Sequence, residues 1–205
     1  MQVRSEETRN KILQSSVKLF ADKGYDATGV AEICDASDVS KGAFYHHFPS
    51  KQSVFIELLR DWLQGLDVEL GLVMSKAHNV PEGLTAMAGE TRGVFNGADG
   101  RIQLFFEFWQ QARRDPEIWK EFIAPYRRYQ DYFAGIVEKG IAEGSIKRID
   151  SEAAGQTLVA LALGIVIQGV VAPAGAAWDR VMRDAVHFLL TGISKSTPAA
   201  TQEGR

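Results

Sequence analysis

The sequence predicts an all-α protein, with an N-terminal three-helix domain built around a helix-turn-helix and joined by a long helix to a C-terminal helical domain. Three observations carry this. Apolar residues recur at helical spacing along most of the 205 residues. Cap and turn residues separate these stretches at intervals suited to helices. The period-two alternation bounded by tight turns that marks strands and hairpins is missing.

The first helix reads from Arg4 to Lys23, with Ile12, Leu13, Ser16, Val17, Leu19 and Phe20 as its inner stripe. Gly24 suits its C-terminal cap, since glycine enters the left-handed region at no steric cost. A short helix fits Gly29 to Ala36, with Thr28 as N-cap. Asp38 sits in a turn, and Ser40 caps a third short helix. A long helix follows Ser50 and ends at Asn79 and Pro81, with the domain boundary near Asp61. A helix from Pro81 to Phe95 ends at the NGADG run, and another spans Arg101 to Arg114. Asp115 and Pro116 open the next, as N-cap and first helical residue. It runs to Glu143, closed by Gly144, with a kink or break expected at Pro125. Asp150 or Ser151 caps an apolar helix. The last helix carries Trp178, Val181, Met182, Ala185, Leu189 and Ile193. The domains are thus 1–60 and 61–195, and the tail 196–205 reads as disordered.

Composition bounds the function. Hydrophobic residues are 45% and charged residues 24%, which excludes disordered and collagen-like chains. A single cysteine, Cys34, permits no intrachain disulfide and suits a reducing compartment. It reads as a small buried residue, because Glu32 and Asp35 argue against a reactive thiolate. Four histidines and one cysteine supply no zinc set, and His46 and His47, adjacent on a helix, point apart. No metal or cofactor is expected. The opening MQVRSEETRNK has no signal-peptide apolar run. From Ala153 to Trp178 there is no charged residue. A membrane helix needs about 20 apolar residues, whereas here the apolar heart runs from Leu158 to Ala172, interrupted by Gln168 and stopped by Pro173. A buried soluble helix is expected, and a cytoplasmic protein. No nucleophile–base pair, phosphate loop or metal spacing points to an enzyme.

The informative run is Thr28 to Lys51, TGVAEICDASDVSKGAFYHHFPSK. Two short helices joined by a tight turn make a helix-turn-helix, whose second helix can enter a major groove. Val30, Ile33 and Cys34 face one way, and Val39 plugs the turn. Phe44 and Phe48, four residues apart, share the inner face of the second helix. Lys41 with Tyr45, and Gly42 with His46, then form two outer rows. Lys41 can donate to guanine or phosphate, Gly42 allows close approach to DNA, and Tyr45 offers a hydroxyl and a ring. Ser40 and the first helical amides can meet a phosphate. Lys51 can clamp the backbone, and the Thr28 hydroxyl can cap, contact phosphate, or both.

These residues (Thr28, Val30, Ile33, Val39, Ser40, Lys41, Gly42, Phe44, Tyr45, Phe48 and Lys51), extended upstream by Arg9, Ile12, Leu13, Leu19, Phe20, Gly24 and Tyr25, resemble the signature of the TetR family of bacterial transcriptional regulators. The resemblance covers Arg4 to Leu59. Asp38 stands where the family often has glycine, though aspartate tolerates left-handed geometry. Ala43 stands where a hydroxyl residue often contacts phosphate, and Cys34 replaces a common alanine. The DNA-contacting set so implied is Thr28, Ser40, Lys41, Gly42, Ala43, Tyr45, His46 and Lys51. Charge adds a constraint. Residues 1–51 hold seven basic and seven acidic residues, so their net charge is zero and nonspecific DNA affinity should be weak.

Two further sets follow. Phe105, Phe106, Phe108, Trp109, Trp119, Phe122, Tyr126, Tyr129, Tyr132 and Phe133 form an aromatic cluster covering more than one helix face. It is either plain core or, as the resemblance implies, an effector pocket that includes Phe105, Phe108, Trp109, Phe122, Tyr126, Tyr129 and Phe133. Glu107, Gln110, Gln111 and Arg114 are candidate polar contacts there. The last two helices either bury themselves within one subunit or, as the resemblance implies, form a four-helix dimer interface through Leu158, Leu161, Ile165, Gln168, Trp178, Met182 and Leu189. The C-terminal part is then a ligand-binding and dimerisation domain. The implied protein is a homodimeric repressor that binds a palindromic operator and is released by a small apolar or aromatic effector. The alternative is a DNA-binding regulator with no effector.

Overall fold

The computed structural model describes residues 2–90, 101–172 and 174–193, with side chains from residue 5 onwards except at 101–103 and 170. Among the described residues there are nine helices and no strand-paired sheet: α1 Gln2–Lys23, α2 Val30–Ser37, α3 Lys41–His47, α4 Lys51–Lys76, α5 Val80–Glu90, α6 Arg101–Ala112, α7 Pro116–Glu143, α8 Ser151–Val171 and α9 Trp178–Ile193. The all-α reading and its order of elements are what the chain adopts. The expected end near Phe95, the stop at Pro173 and the tail from 196 lie outside the described residues.

Local chemistry explains most boundaries. Gly24 closes α1 at φ +83°, its N–H donating to the Phe20 carbonyl at 3.0 Å. Asp38 ends α2 in the left-handed region, at φ 53° and ψ 47°. Ser40 caps α3, its hydroxyl accepting from the Ala43 N–H at 3.1 Å. Asp115 accepts from the Glu117 N–H at 2.8 Å, and Asp150 from the Ala153 N–H at 3.0 Å.

Two expectations are corrected. The N-cap of α2 is Gly29, with no side-chain cap. The Thr28 hydroxyl instead turns inward to the carbonyls of Gly24, at 2.8 Å, and Leu19, at 3.3 Å. And of the kink or break expected at Pro125, the break is absent, since α7 runs on through that residue. A proline removes one ladder hydrogen bond at about 3 kcal/mol, and α7 buries side chains both before it, at Ile118, and after it, at Ala134, Ile136 and Val137. Packing on each side outweighs the local loss.

The chain divides into two compact units, one of residues 1–70 with 93–127 and one of 71–92 with 128–205. The sequence boundary near Asp61 put α6 and all of α7 with the second part, whereas α6 and the start of α7 pack with the N-terminal helices. In the first unit, Ile12, Phe20, Ile33, Phe44, Val54, Phe55 and Phe108 are fully buried. Phe55 stacks on Phe108 with centroids 3.8 Å apart, while the Phe20 ring meets its edge at 5.4 Å and Tyr25 lies 4.5 Å away. Such offset and edge contacts suit the aromatic quadrupole.

In the second unit α9 packs against α5 and α8. Its buried row is Met182, Val186 and Leu190, one position on from much of the expected stripe. Helix α8 is apolar nearly all round. Ser151–Gly169 is long and apolar enough to cross a membrane by length and composition, yet only 28% of that stretch is buried within the chain. The expected burial therefore holds for one face of the helix, carried by Leu158, Val159 and Ile165.

Gly155 sets how closely α8 approaches α7. A β-carbon there would lie 2.6 Å from the Gln130 carbonyl oxygen and 2.7 Å from the Ala134 amide nitrogen, both backbone atoms that cannot swing aside. Gly155→Ala is therefore expected to lower stability by about 1–3 kcal/mol, as overpacking does, outweighing alanine's better helix propensity. Chemical denaturation checks this; an unchanged or higher midpoint would mean that the two helices separate freely.

Candidate functional site

The site is built from α2, the turn at Asp38 and α3. Phe44 is fully buried and Phe48 is 4% exposed, so together they fix which way the short α3 is rotated. Lys41, Gly42, Tyr45 and His46 then fall on the solvent face, and Ala43 lies half-buried between the two faces. Tyr45 is 54% exposed, its ring edge-on to Phe44 at 5.3 Å. Ser40 is exposed, but its oxygen is already engaged as the cap of α3.

Two members of the implied DNA-contacting set are occupied elsewhere. Thr28 is 1% exposed and holds backbone carbonyls, as described. Lys51 donates through Nζ to the Tyr25 carbonyl at 2.7 Å and the Thr28 carbonyl at 2.8 Å, and lies over the Tyr25 ring at 4.2 Å. Burial pushes its pKa below the ordinary lysine value, with Asp26 opposing. Thr28 and Lys51 thus work as internal ties on the 24–28 loop. Sequence spacing put them next to the outer rows, but it does not give the direction of a side chain at a helix edge.

The even charge count is resolved locally. Arg9 pairs with Glu57, and Lys23 with Glu32, so part of the basic set is matched inside the first unit. Cys34 is 4% exposed, and burial followed by Asp35 pushes its thiol pKa up, against a smaller opposite pull from Lys41. Such a thiol stays protonated and unreactive at neutral pH. His46 and His47 stand with ring centroids 5.1 Å apart.

The aromatic set is distributed unevenly. Phe108 is fully buried and stacked on Phe55. Phe105 lies 5.9 Å from Trp62 and 5.6 Å from Phe122, and Trp119 lies 6.5 Å from Phe122. Trp109 and Trp119 are 44% and 43% exposed, and Phe105, Phe122 and Tyr126 are half-buried. Tyr129 and Phe133 belong to the second unit. An open groove of about 540 Å³ in that unit is lined by Pro81, Glu82, Thr85, Ala86, His187, Leu190 and Thr191, and includes none of the aromatic set. The suggested polar contacts are also redirected. Glu107 accepts from the Tyr25 N–H at 2.7 Å, Arg114 pairs with Asp26 at 3.3 Å, and Gln111 is buried.

On the last two helices, Leu158, Ile165 and Met182 are buried within the chain. Leu161, Trp178 and Leu189 are half-buried, and Gln168 is exposed. Phe188 and Val171, which the sequence reading did not single out, are 73% and 78% exposed. Phe188 carried a signal: it is a large aromatic standing off the buried row of α9.

Comparison with known proteins bears on this geometry. The family model for bacterial regulatory proteins of the tetR family matches residues 12–58, and that for the C-terminal part of BetI-type transcriptional repressors matches residues 82–193. The transcriptional repressor KstR2 of Mycolicibacterium smegmatis is 29% identical over 141 residues, 68% of this chain and 67% of that protein. A putative transcriptional regulator from Saccharomonospora viridis, solved with choline, superposes with a TM-score of 0.80 at 22% identity, covering 93% of this chain and 100% of that one. The fatty acid degradation regulator FadR of Bacillus halodurans gives 0.79 at 20% identity, covering 90% and 95%. With one family model over the helix-turn-helix and a second over more than half of its length, the chain belongs to the TetR family of transcriptional regulators and carries a BetI-type C-terminal region.

Proposed function

We propose that this protein is a cytoplasmic, homodimeric repressor that binds a palindromic DNA operator and is released by a small apolar or aromatic effector. The observation that carries the DNA-binding part is the division of α3: Phe44 and Phe48 buried beneath, Lys41, Gly42, Tyr45 and His46 open above. A helix pinned by two phenylalanines presents one constant set of donors to a groove. Lys41 reads guanine edges or a phosphate, Tyr45 a phosphate or a thymine methyl, and Gly42 lets the backbone approach. Ser40 and Ala43 frame the contact.

Dimerisation rests on α8 and α9. The uncovered apolar surface of α8, with Leu161, Gln168 and Val171, and the exposed Phe188 beside Leu189, suits a second copy of the same face. Two heads then read half-sites about one helical turn apart, ~34–36 Å. The effector reading rests on the half-open rings of Phe105, Phe122 and Tyr126. It is also supported by similar structures named for fatty acid degradation and for ketosteroids. An effector releases DNA only by binding the non-DNA conformation more tightly. Two observations favour regulation without an effector: Phe108 is fully buried, and none of the aromatic set lines the groove of the second unit.

Selection from a random duplex library is expected to enrich an inverted repeat. On that duplex, Lys41→Ala and Tyr45→Ala should each weaken binding by about 1–3 kcal/mol with folding intact. Unchanged affinity in both variants would remove α3 as the reading element. Phe188→Glu should convert dimer to monomer in sedimentation at micromolar concentration while keeping its helicity. A dimer indifferent to that charge would place the interface elsewhere. In a panel of small apolar and aromatic compounds, at least one is expected to raise the melting temperature and weaken operator binding. Silence across a large panel favours the effector-free reading.

A further inference from the structure

The loop of residues 24–28, between α1 and α2, feeds the helix-turn-helix, and it is held from outside by α6 and the segment that follows it. Glu107 on α6 accepts from the Tyr25 backbone N–H at 2.7 Å, across 82 residues of sequence. Its carboxylate lies against the open side of Gly24, where a β-carbon would stand 3.5 Å from both oxygens. Arg114 reaches Asp26 at 3.3 Å, and the Asp115 carboxylate accepts from Gln52 at 2.9 Å. From the other side, Lys51 and the Thr28 hydroxyl hold the carbonyls of Tyr25, Thr28 and Gly24. The Tyr25 backbone is thus gripped on both sides of its Cα, its N–H by α6 and its carbonyl by α4. On the same helix, two residues before Glu107, stands Phe105 of the half-open aromatic set.

We infer that Glu107 is a positioning residue for DNA recognition: its bond to the Tyr25 N–H fixes the loop that sets α2 and α3, and so links the aromatic helix to the reading head. Glu107 stands half-buried on α6, apart in sequence from the exposed face of α3. It acts through the loop, and the inference rests on the operator reading above. Arg114 and Asp26 are both exposed, so their pair is a weak tie. The carboxylate–amide bond is charge-assisted and half-buried, which makes it the stronger one.

The test uses the full-length protein and the selected operator, with a scrambled duplex as control. In Glu107→Ala, operator affinity is expected to fall about tenfold per head, the scale on which one lost hydrogen bond to a charged group moves an equilibrium, and so on the order of 100-fold for a dimer that loses the bond in both heads. Scrambled-duplex affinity should stay unchanged, and the Tyr25 amide should lose protection from hydrogen exchange. Glu107→Gln keeps an oxygen acceptor in reach and should restore most of the operator affinity. Glu107→Asp, one carbon short, should not, and this pair decides the matter if the alanine variant folds poorly. Equal operator affinity in the Asp and Gln variants overturns the inference. So does an Ala variant that loses operator and scrambled duplex alike, since that marks general loss of structure. If Lys41→Ala still weakens the operator, the reading of α3 survives such an outcome. A wild-type chain that discriminates no duplex overturns both.

Discussion

The first unit depends on one packed contact, the stack of Phe55 on Phe108 at 3.8 Å. Phe55 comes from the start of α4 and Phe108 from the middle of α6, 53 positions apart in sequence. Both are fully buried, and the rings of Phe20, near perpendicular, and Tyr25, tilted, close on Phe55. Burying one such side chain contributes about 1.5–3 kcal/mol, and a well-placed aromatic pair about 0.5–1.5 kcal/mol more. The directional ties around the 24–28 loop can form only because this contact brings α6 beside it. Hydrogen bonds from Glu107 and Lys51 then select one geometry from those that the packing permits.

That hierarchy shapes the electrostatics of the head. Seven basic and seven acidic residues in 1–51 leave no general attraction for a polyanion. Lys51 is taken up by two carbonyls, and Lys23 and Arg9 by carboxylates. Lys11 and Lys18 stay exposed on α1, and Lys41 stands at the start of the exposed face of α3. A protein that neutralises few phosphates has a shallow salt dependence and weak nonspecific binding. Affinity then has to come from base-edge contacts and from two heads acting together. A second head tethered to the first binds at an effective concentration set by geometry, which multiplies affinity without any new kind of contact.

The helix order, most caps and the inner and outer faces of α3 were legible in the sequence because they follow from local spacing: Ser40 before a helix, Phe44 four residues from Phe48, Asp115 before Pro116. What the sequence left open has a different origin. Thr28 and Lys51 have the right type and position for phosphate contact, but their direction is set by the carbonyls of a folded loop. Phe108 has the same composition signal as Phe105, and only the distant Phe55 decides which of them is core. Glu107 looked like a polar lining residue because its partner is a backbone amide, which leaves no trace in side-chain identity. The boundary near Asp61 differs from the division into compact units for the same reason. Long helices carry the chain onward while side-chain packing assigns α6 to the N-terminal group.

The ties on the loop also bound the size of any regulatory effect. A net hydrogen bond is worth about 0.5–1.5 kcal/mol, and about 1.5–3 kcal/mol when one partner is charged. An effector that weakens such a tie in each subunit without breaking it changes the energy of setting each head by roughly 1–2 kcal/mol, consistent with common coupling energies. In a symmetric dimer on a palindrome both heads must be set at once, so the two costs add. The sum, about 2–4 kcal/mol, corresponds to a change in operator affinity of roughly 30-fold to nearly 1,000-fold. A single carboxylate on α6 is therefore energetically sufficient for a switch. Neither head needs to unfold, and the Phe55–Phe108 stack beneath can stay closed in both states.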